Sequence, residues 1–239
     1  MRAIDLLVGM ESDMTESRQL FESLDDLDWD DLVAVRERTS EVLDACDRDR
    51  SMIGRMLDRV PKQPELRSLC EHYDILDKLV LHDDPSGWRL RLHIFLTGYF
   101  DRPHNHRWTY TTRLLSGAYT HTLYGEESPS GDLADVSLLE PRMLTILRPG
   151  DSYTLHHSMI HAIAAHGLTV SLVVRGPAQK DRFFVTDRHT GEAWWQYGAQ
   201  LESAADAAEK QMTDAYLQAT IAGLRASGVI GSYDAISDT

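Results

Sequence analysis

Cysteine is scarce in this sequence: two in 239 residues, Cys46 and Cys70. Both fall in stretches that read as helix. They are expected to be buried, reduced structural residues of a cytoplasmic protein. Positive charge is scarce as well. Lys and Arg number 24 against 38 Asp and Glu, a formal net charge of −14. That balance argues against a nucleic-acid partner, because phosphate binding needs clustered Lys and Arg. The dense acidic run of Asp25, Asp26, Asp28, Asp30 and Asp31 reads as a solvated face. No run of 18 apolar residues occurs, so no helical membrane span is expected. Arg2 and Asp5 interrupt the short apolar opening of the chain and no cleavage-like site follows, so no signal peptide is expected. Internal repeats and low-complexity tracts are also absent. What is present, at 42% apolar residues, suffices for one substantial core.

Three zones follow one another. Residues 1–74 form an expected N-terminal helical annex. Leu32, Val35, Val42 and Leu43 recur at the spacing of one helix face, with Asp30 or Asp31 as its cap. Met52, Ile53, Met56 and Leu57 mark a second helix, ended by Pro61 and Pro64. Residues 75–197 read as short strands rich in Val, Ile, Leu, Thr and Tyr, with turns between them. The segment from Trp88 to Leu96 alternates polar and apolar residues, preceded by the hairpin turn Asp84-Pro85-Ser86-Gly87. Further strands are predicted at 109–115, 118–124, 142–147, 159–165, 168–175 and 182–186. Turns at Ser128–Asp132 and Pro149–Asp151 separate some of them. Many short strands predict an all-β jelly-roll barrel. Residues 198–239 return to helix around Ala204, Ala207, Met212 and Leu217, then a tail. The three zones are read as one integrated domain.

The chemistry concentrates in Gly98-Tyr-Phe-Asp-Arg-Pro-His104-Asn-His106. Residues two apart on a strand share a face, so both imidazoles converge on one point at a spacing suited to a single metal ion. Arg148-Pro149-Gly150-Asp151 then forms a turn, and His161 lies where a following strand could bring it back to the same ion. His156 and His157 are the rivals for that third place. His93, His121 and His166 are read as packing residues, and His72, His82 and His189 as peripheral. Trp194, Trp195, Phe183 and Phe184 are expected to close the core or the barrel mouth.

These residues resemble the first and second motifs of the cupin superfamily, through Gly98, His104, His106 and Gly117 and then Pro149, Gly150 and His161. The glutamate of the first motif is replaced by Tyr110, which leaves three neutral histidines as the ligand set. Leu114-Leu115-x-Gly117 and Thr122-Leu123-Tyr124, with Tyr153 and Ser158 ahead of His161, are similar to the cysteine dioxygenase branch over roughly residues 76–176. The resemblance implies a double-stranded β-helix and Fe(II), with Zn, Ni, Mn or Cu as alternatives. It places the position of the family's carboxylate-binding arginine at Lys78 and that of its crosslinking cysteine at Thr111. The family's Ser-x-His-x-Tyr strand stands here as Ser171-Leu-Val-Val-Arg175, so its histidine and tyrosine are missing.

The expected function is a mononuclear non-haem iron oxygenase that uses O2 on a small polar, amino-acid-like or thiol-like metabolite. Tyr110, Thr111 and Arg175 are the candidates for catalytic roles. Lys78, Ser171 and Arg175 are the candidates for substrate binding, Arg175 as a bidentate carboxylate clamp. Barrels of this type often pair, so a homodimer is among the expectations. Alternatives are a non-redox metal-dependent isomerase or lyase, a 2-oxoglutarate oxygenase using Arg175, and a ligand-binding cupin without turnover.

Overall fold

A computed structural model describes residues 19–96, 102–126, 139–187, 189–198 and 201–231. Gly98 and the Ser128–Asp132 turn lie outside the described residues.

Helix α1 (Leu32–Arg48) starts where Asp31 caps it, its carboxylate accepting from the amides of Val33 and Ala34 at 3.0 and 3.1 Å. It buries Val35, Thr39, Val42, Leu43 and Cys46, one stripe at helical spacing. Asp49 caps α2 (Arg50–Arg59), and Pro61 ends it within a 3-10 turn. Pro64 does not end that helix. It opens the single-turn α3 (Pro64–Arg67), where a missing N–H costs nothing. The C-terminal zone forms α4 (Ala204–Glu209) and α5 (Asp214–Ala226). No helix of the described residues is long and apolar enough to cross a membrane.

The described residues of the middle zone form nine strands: β1 (Glu71–His72), β2 (Leu76–Asp83), β3 (Arg89–Phe95), β4 (Tyr110–Glu126), β5 (Met143–Leu147), β6 (Ser152–Leu155), β7 (Met159–Arg175), β8 (Arg182–Asp187) and β9 (Glu192–Tyr197). All their pairings are antiparallel. The sequence splits β4 and β7 into two strands each. The chain instead runs each as one 17-residue strand, bent at Gly117 and near Gly167.

Those bends create two sheets. The first half of β4 pairs β6 on one side and the second half of β7 on the other, which continues through β3 and β2 to β1. The second half of β4 pairs β5 and the first half of β7. Beyond β7, the backbone of His104 exchanges hydrogen bonds with His161 at 2.9 and 2.8 Å, and Pro103 and Asn105 pair with Thr186 and Phe184 of β8. This is the mainly antiparallel jelly-roll arrangement expected, with helices before and after it in the chain.

Alternation assigns the two faces of the first sheet. Leu90, Leu92, Leu172 and Val174 point outward and share one buried cluster with Val42 and Leu43 of α1, Ile53 of α2 and Leu217 of α5. Each such Leu or Val contributes about 1.5–3 kcal/mol by leaving water. The terminal helices therefore complete the core on the outer face of the barrel. Cys46 and Cys70 are free thiols in this cluster, and burial pushes the Cys46 thiol up to about 12. Residues of opposite parity on the same strands face the other sheet and enclose a cavity of about 300 Å³.

Candidate metal centre

His104 and His106 lie on the segment that precedes β4, which bridges β7 and β8 in space, and His161 stands opposite them near the start of β7. Asn105 points the other way. It is fully buried, and its side-chain oxygen accepts from the amide of Phe184 at 2.8 Å, which locks the segment onto β8. Period two then turns both flanking imidazoles into the cavity. The Nε2 atoms of His106 and His161 are 2.9 Å apart, and the three histidines offer ring nitrogens within 4.8 Å of one another. His104 Nδ1 lies 2.8 Å from the carbonyl of Arg102, which makes Nε2 the nitrogen that would serve as ligand atom.

Burial pushes His106 and His161 well below the ordinary histidine range, and the neighbouring His104 adds to the effect. Both are neutral imidazoles with lone pairs available, the form that binds a divalent ion. Two lone pairs held this close repel one another unless a proton or a cation lies between them. The donor set and its convergence thus fit one transition-metal ion.

His161 is 1% exposed, and its second nitrogen is fixed as well. Its Nδ1 lies 3.1 Å from His121 Nε2. With Nε2 turned to the other two ligands, Nδ1 carries the proton and donates to His121, which orients the ring. Burial lowers His121 to about 4, so it stays neutral and able to accept. The His121 ring stacks on Tyr153 at 4.3 Å between centroids. Sequence reasoning took His121 for a packing residue. Its position on the inward parity of β4 was the one available signal. Replacing His121 by Phe retains the stacking but removes the acceptor. Metal affinity is expected to fall about 10- to 100-fold, read by competition with a chelator. An affinity unchanged from wild type would return His121 to a packing role.

Tyr110, at the start of β4, also faces the site. Its hydroxyl is 3.4 Å from His161 Nε2 and 3.1 Å from the Tyr153 hydroxyl. Lys78, Ser171 and Arg175 also line the cavity, on β2 and β7. Lys78 lies 3.9 Å from Glu71 and 4.3 Å from the Tyr73 ring centre. Arg175 donates through Nη1 to the carbonyls of Gly87 and Gly176, at 2.6 and 2.7 Å.

One expectation needs correction. Thr111 is not at the site. It points to the helices, its hydroxyl 2.6 Å from that of Thr39 on α1 and 2.9 Å from that of Thr154. The inward parity of β4 falls on Tyr110 and Thr112 instead. His156 and His157 do not compete for the third ligand position. They flank Asp30 at 3.5 and 3.4 Å, in a separate group from the three cavity histidines. Arg113 faces outward too, paired with Asp44 and Asp47 of α1 at 2.5 and 2.8 Å. Phe183 and Trp194 line the cavity, whereas Phe184 and Trp195 pack behind it.

The sequence reading missed Arg91, Trp108 and Arg102 on the cavity wall. For Arg91 the signal was present. The Trp88–Leu96 alternation places it with His93 on the face opposite Leu90 and Leu92.

No protein-family model matches the chain, and no curated protein does. Among solved structures, it resembles the DMSP lyase DddQ from Ruegeria pomeroyi at a TM-score of 0.36 with 15% identity, over 47% of this chain and 52% of that one. An RmlC-like cupin from Shewanella frigidimarina gives 0.34 with 16% identity, over 47% and 86%. KdgF from a Halomonas species gives 0.33 with 19% identity, over 44% and 82%. The chain thus spans about half the length of the lyase.

Proposed function

We propose that the chain is a cupin-type mononuclear non-haem iron oxygenase acting on a small polar metabolite of amino-acid or thiol kind. The observation that carries this reading is the convergence of His104, His106 and His161 in a cavity with no carboxylate ligand among the described residues. Three neutral ligands would leave Fe(II) its full charge and positions open to substrate and O2, and the ion would supply redox chemistry and a template. The protein's own residues do the rest. His121 fixes the ring of His161. Tyr110 places a hydroxyl beside that ligand, where it can give a hydrogen bond to a bound substrate. Phe95, Trp108, Phe183 and Trp194 line the cavity with aromatic surface that excludes water. The resemblance to cysteine dioxygenase favours iron, and the absence of that family's histidine and tyrosine after Ser171 keeps the substrate distinct.

The Tyr110–Tyr153 hydroxyl pair favours one second reading, a non-redox lyase or isomerase in which a phenol moves the proton. Protein purified without added metal, assayed for elements and for O2 uptake over a panel of thiols and amino acids, separates the two. Iron with substrate-dependent O2 consumption is the expected result. Zinc with turnover under strict anaerobiosis would replace it by the second reading.

A further inference from the structure

The chain is strongly acidic, yet among the described residues the cavity wall carries no Asp or Glu. It does carry Lys78, Arg91, Arg102 and Arg175. Two of these have carboxylate partners: Lys78 lies by Glu71, and Arg102 pairs with Asp187 at 3.1 Å. Arg91 and Arg175 have none within ion-pair distance among the described residues.

Arg91 is the more exceptional. It is 6% exposed, and its guanidinium makes no hydrogen bond to the described residues, with Nε buried and unpartnered. An isolated buried charge is costly and is ordinarily paired. Arg175, 7% exposed, uses only Nη1 on the two carbonyls, and its Nε is also buried without a partner. Strand pairing sets the two close. Arg91 stands opposite Val173, and Arg175 is two residues further along the same face of β7. Both guanidinium groups lie against the Trp108 ring, at 5.5 and 5.1 Å from its centre. The same indole adjoins the metal group, with the His106 and Trp108 ring centres 5.9 Å apart. His93 adds a third buried, unpartnered nitrogen on the same wall, one inward position along β3 from Arg91.

We propose that this wall is an oxyanion subsite, in which Arg91 with Arg175 beside it takes the carboxylate or phosphate group of a small anionic metabolite whose other end reaches the three histidines. The planar guanidinium fork matches either group in bidentate fashion. A cavity of about 300 Å³ limits the ligand to a small molecule. Burial pushes Arg91 down to about 10, with the positive Arg89 adding to it, a strain that a bound anion relieves. Lys78 holds the place where the resemblance puts an arginine, but it is already beside Glu71. The subsite rests on the proposed metal centre only for the ligand's other end.

The test titrates succinate, inorganic phosphate and the neutral succinamide into the protein as isolated, by calorimetry and tryptophan fluorescence, with metal content measured in parallel. Succinate or phosphate is expected to bind and succinamide is not, and which of the two binds identifies the anion. Arg91→Gln should weaken that binding about 10- to 100-fold while retaining metal. Arg91→Lys, which keeps the charge but loses the fork, should fall between and guards against a folding defect in the first variant. His104→Ala should lose metal yet still bind the anion. Failure of both anions to bind wild type overturns the subsite. So does binding that vanishes in His104→Ala but persists in Arg91→Gln, which would place the anion on the metal. Loss of anion binding in Arg91→Gln in a protein that never holds metal would sustain the subsite and sink the metal centre instead.

Discussion

His161→Ala is expected to leave a folded protein that no longer retains its metal ion. His161 is the ligand with most of its environment committed to it. One ring nitrogen faces His106 at 2.9 Å, the other is held by His121 at 3.1 Å, and its backbone bridges to His104. Removing the imidazole leaves two ligands on one short segment. If a bound ion is worth roughly 10–16 kcal/mol over its ligands, one of three accounts for about 3–5 kcal/mol, a loss beyond 100-fold. The fold should survive, because His161 contributes little to the cluster that joins sheet and helices. Elemental analysis after dialysis, with circular dichroism for the fold, reads both outcomes. His157→Ala serves as control and should keep its metal, since His157 sits by Asp30. Equal metal in both variants would show that the three-histidine centre is not the metal site.

The second large effect concerns the bend rather than the chemistry. Gly117→Val is expected to destabilise the chain by about 4 kcal/mol or more, a large part of the roughly 5–15 kcal/mol typical of a domain. Gly117 has φ +75°, a conformation that a β-branched residue adopts only with strain. A Cβ there would lie 2.5 Å from the Leu168 carbonyl oxygen and 2.7 Å from Thr169 Cα, and closer still to the Thr169 hydroxyl. That hydroxyl is itself committed to Ala118, accepting from its amide at 3.2 Å and donating to its carbonyl at 2.9 Å. Strand backbone has to move, and with it the step that carries β4 from one sheet to the other. Gly167→Ala separates strain from crowding. It shares the positive φ of +71° but meets nothing within 4 Å, so it should cost only about 1–2 kcal/mol. Thermal melts of the two variants give the comparison. Equal melting temperatures would remove the crowding argument.

Local pattern carried much of this architecture. The helical spacing from Val35 to Leu43, the cap at Asp31 and the alternation from Trp88 to Leu96 are each encoded within a few residues. The same holds for His104 and His106, which share a face because strand side chains repeat every two residues. Where the reading failed, it failed on non-local facts. The residues flanking Gly117 and Gly167 look like strand ends, and only the pairing of β4 with β7 shows that each chain passes through the bend. Thr111 and Tyr110 are neighbours of similar strand preference. Alternation says that they face opposite ways, but not which way is inward.

The sequence by itself determined that His104 and His106 present paired imidazoles, that a tyrosine rather than a carboxylate stands four residues after His106, and that helices flank a β core. Only the tertiary structure set His156 and His157 apart beside Asp30, gave His161 His121 as its partner, sent Thr111 to the helices, and left Arg91 buried on the cavity wall with no carboxylate at ion-pair distance among the described residues. The physical reason is one of range. Periodicity records which side chains share a face, whereas the side of the sheet that the helices cover, and the strand that returns to close the site, depend on contacts between residues far apart in the chain.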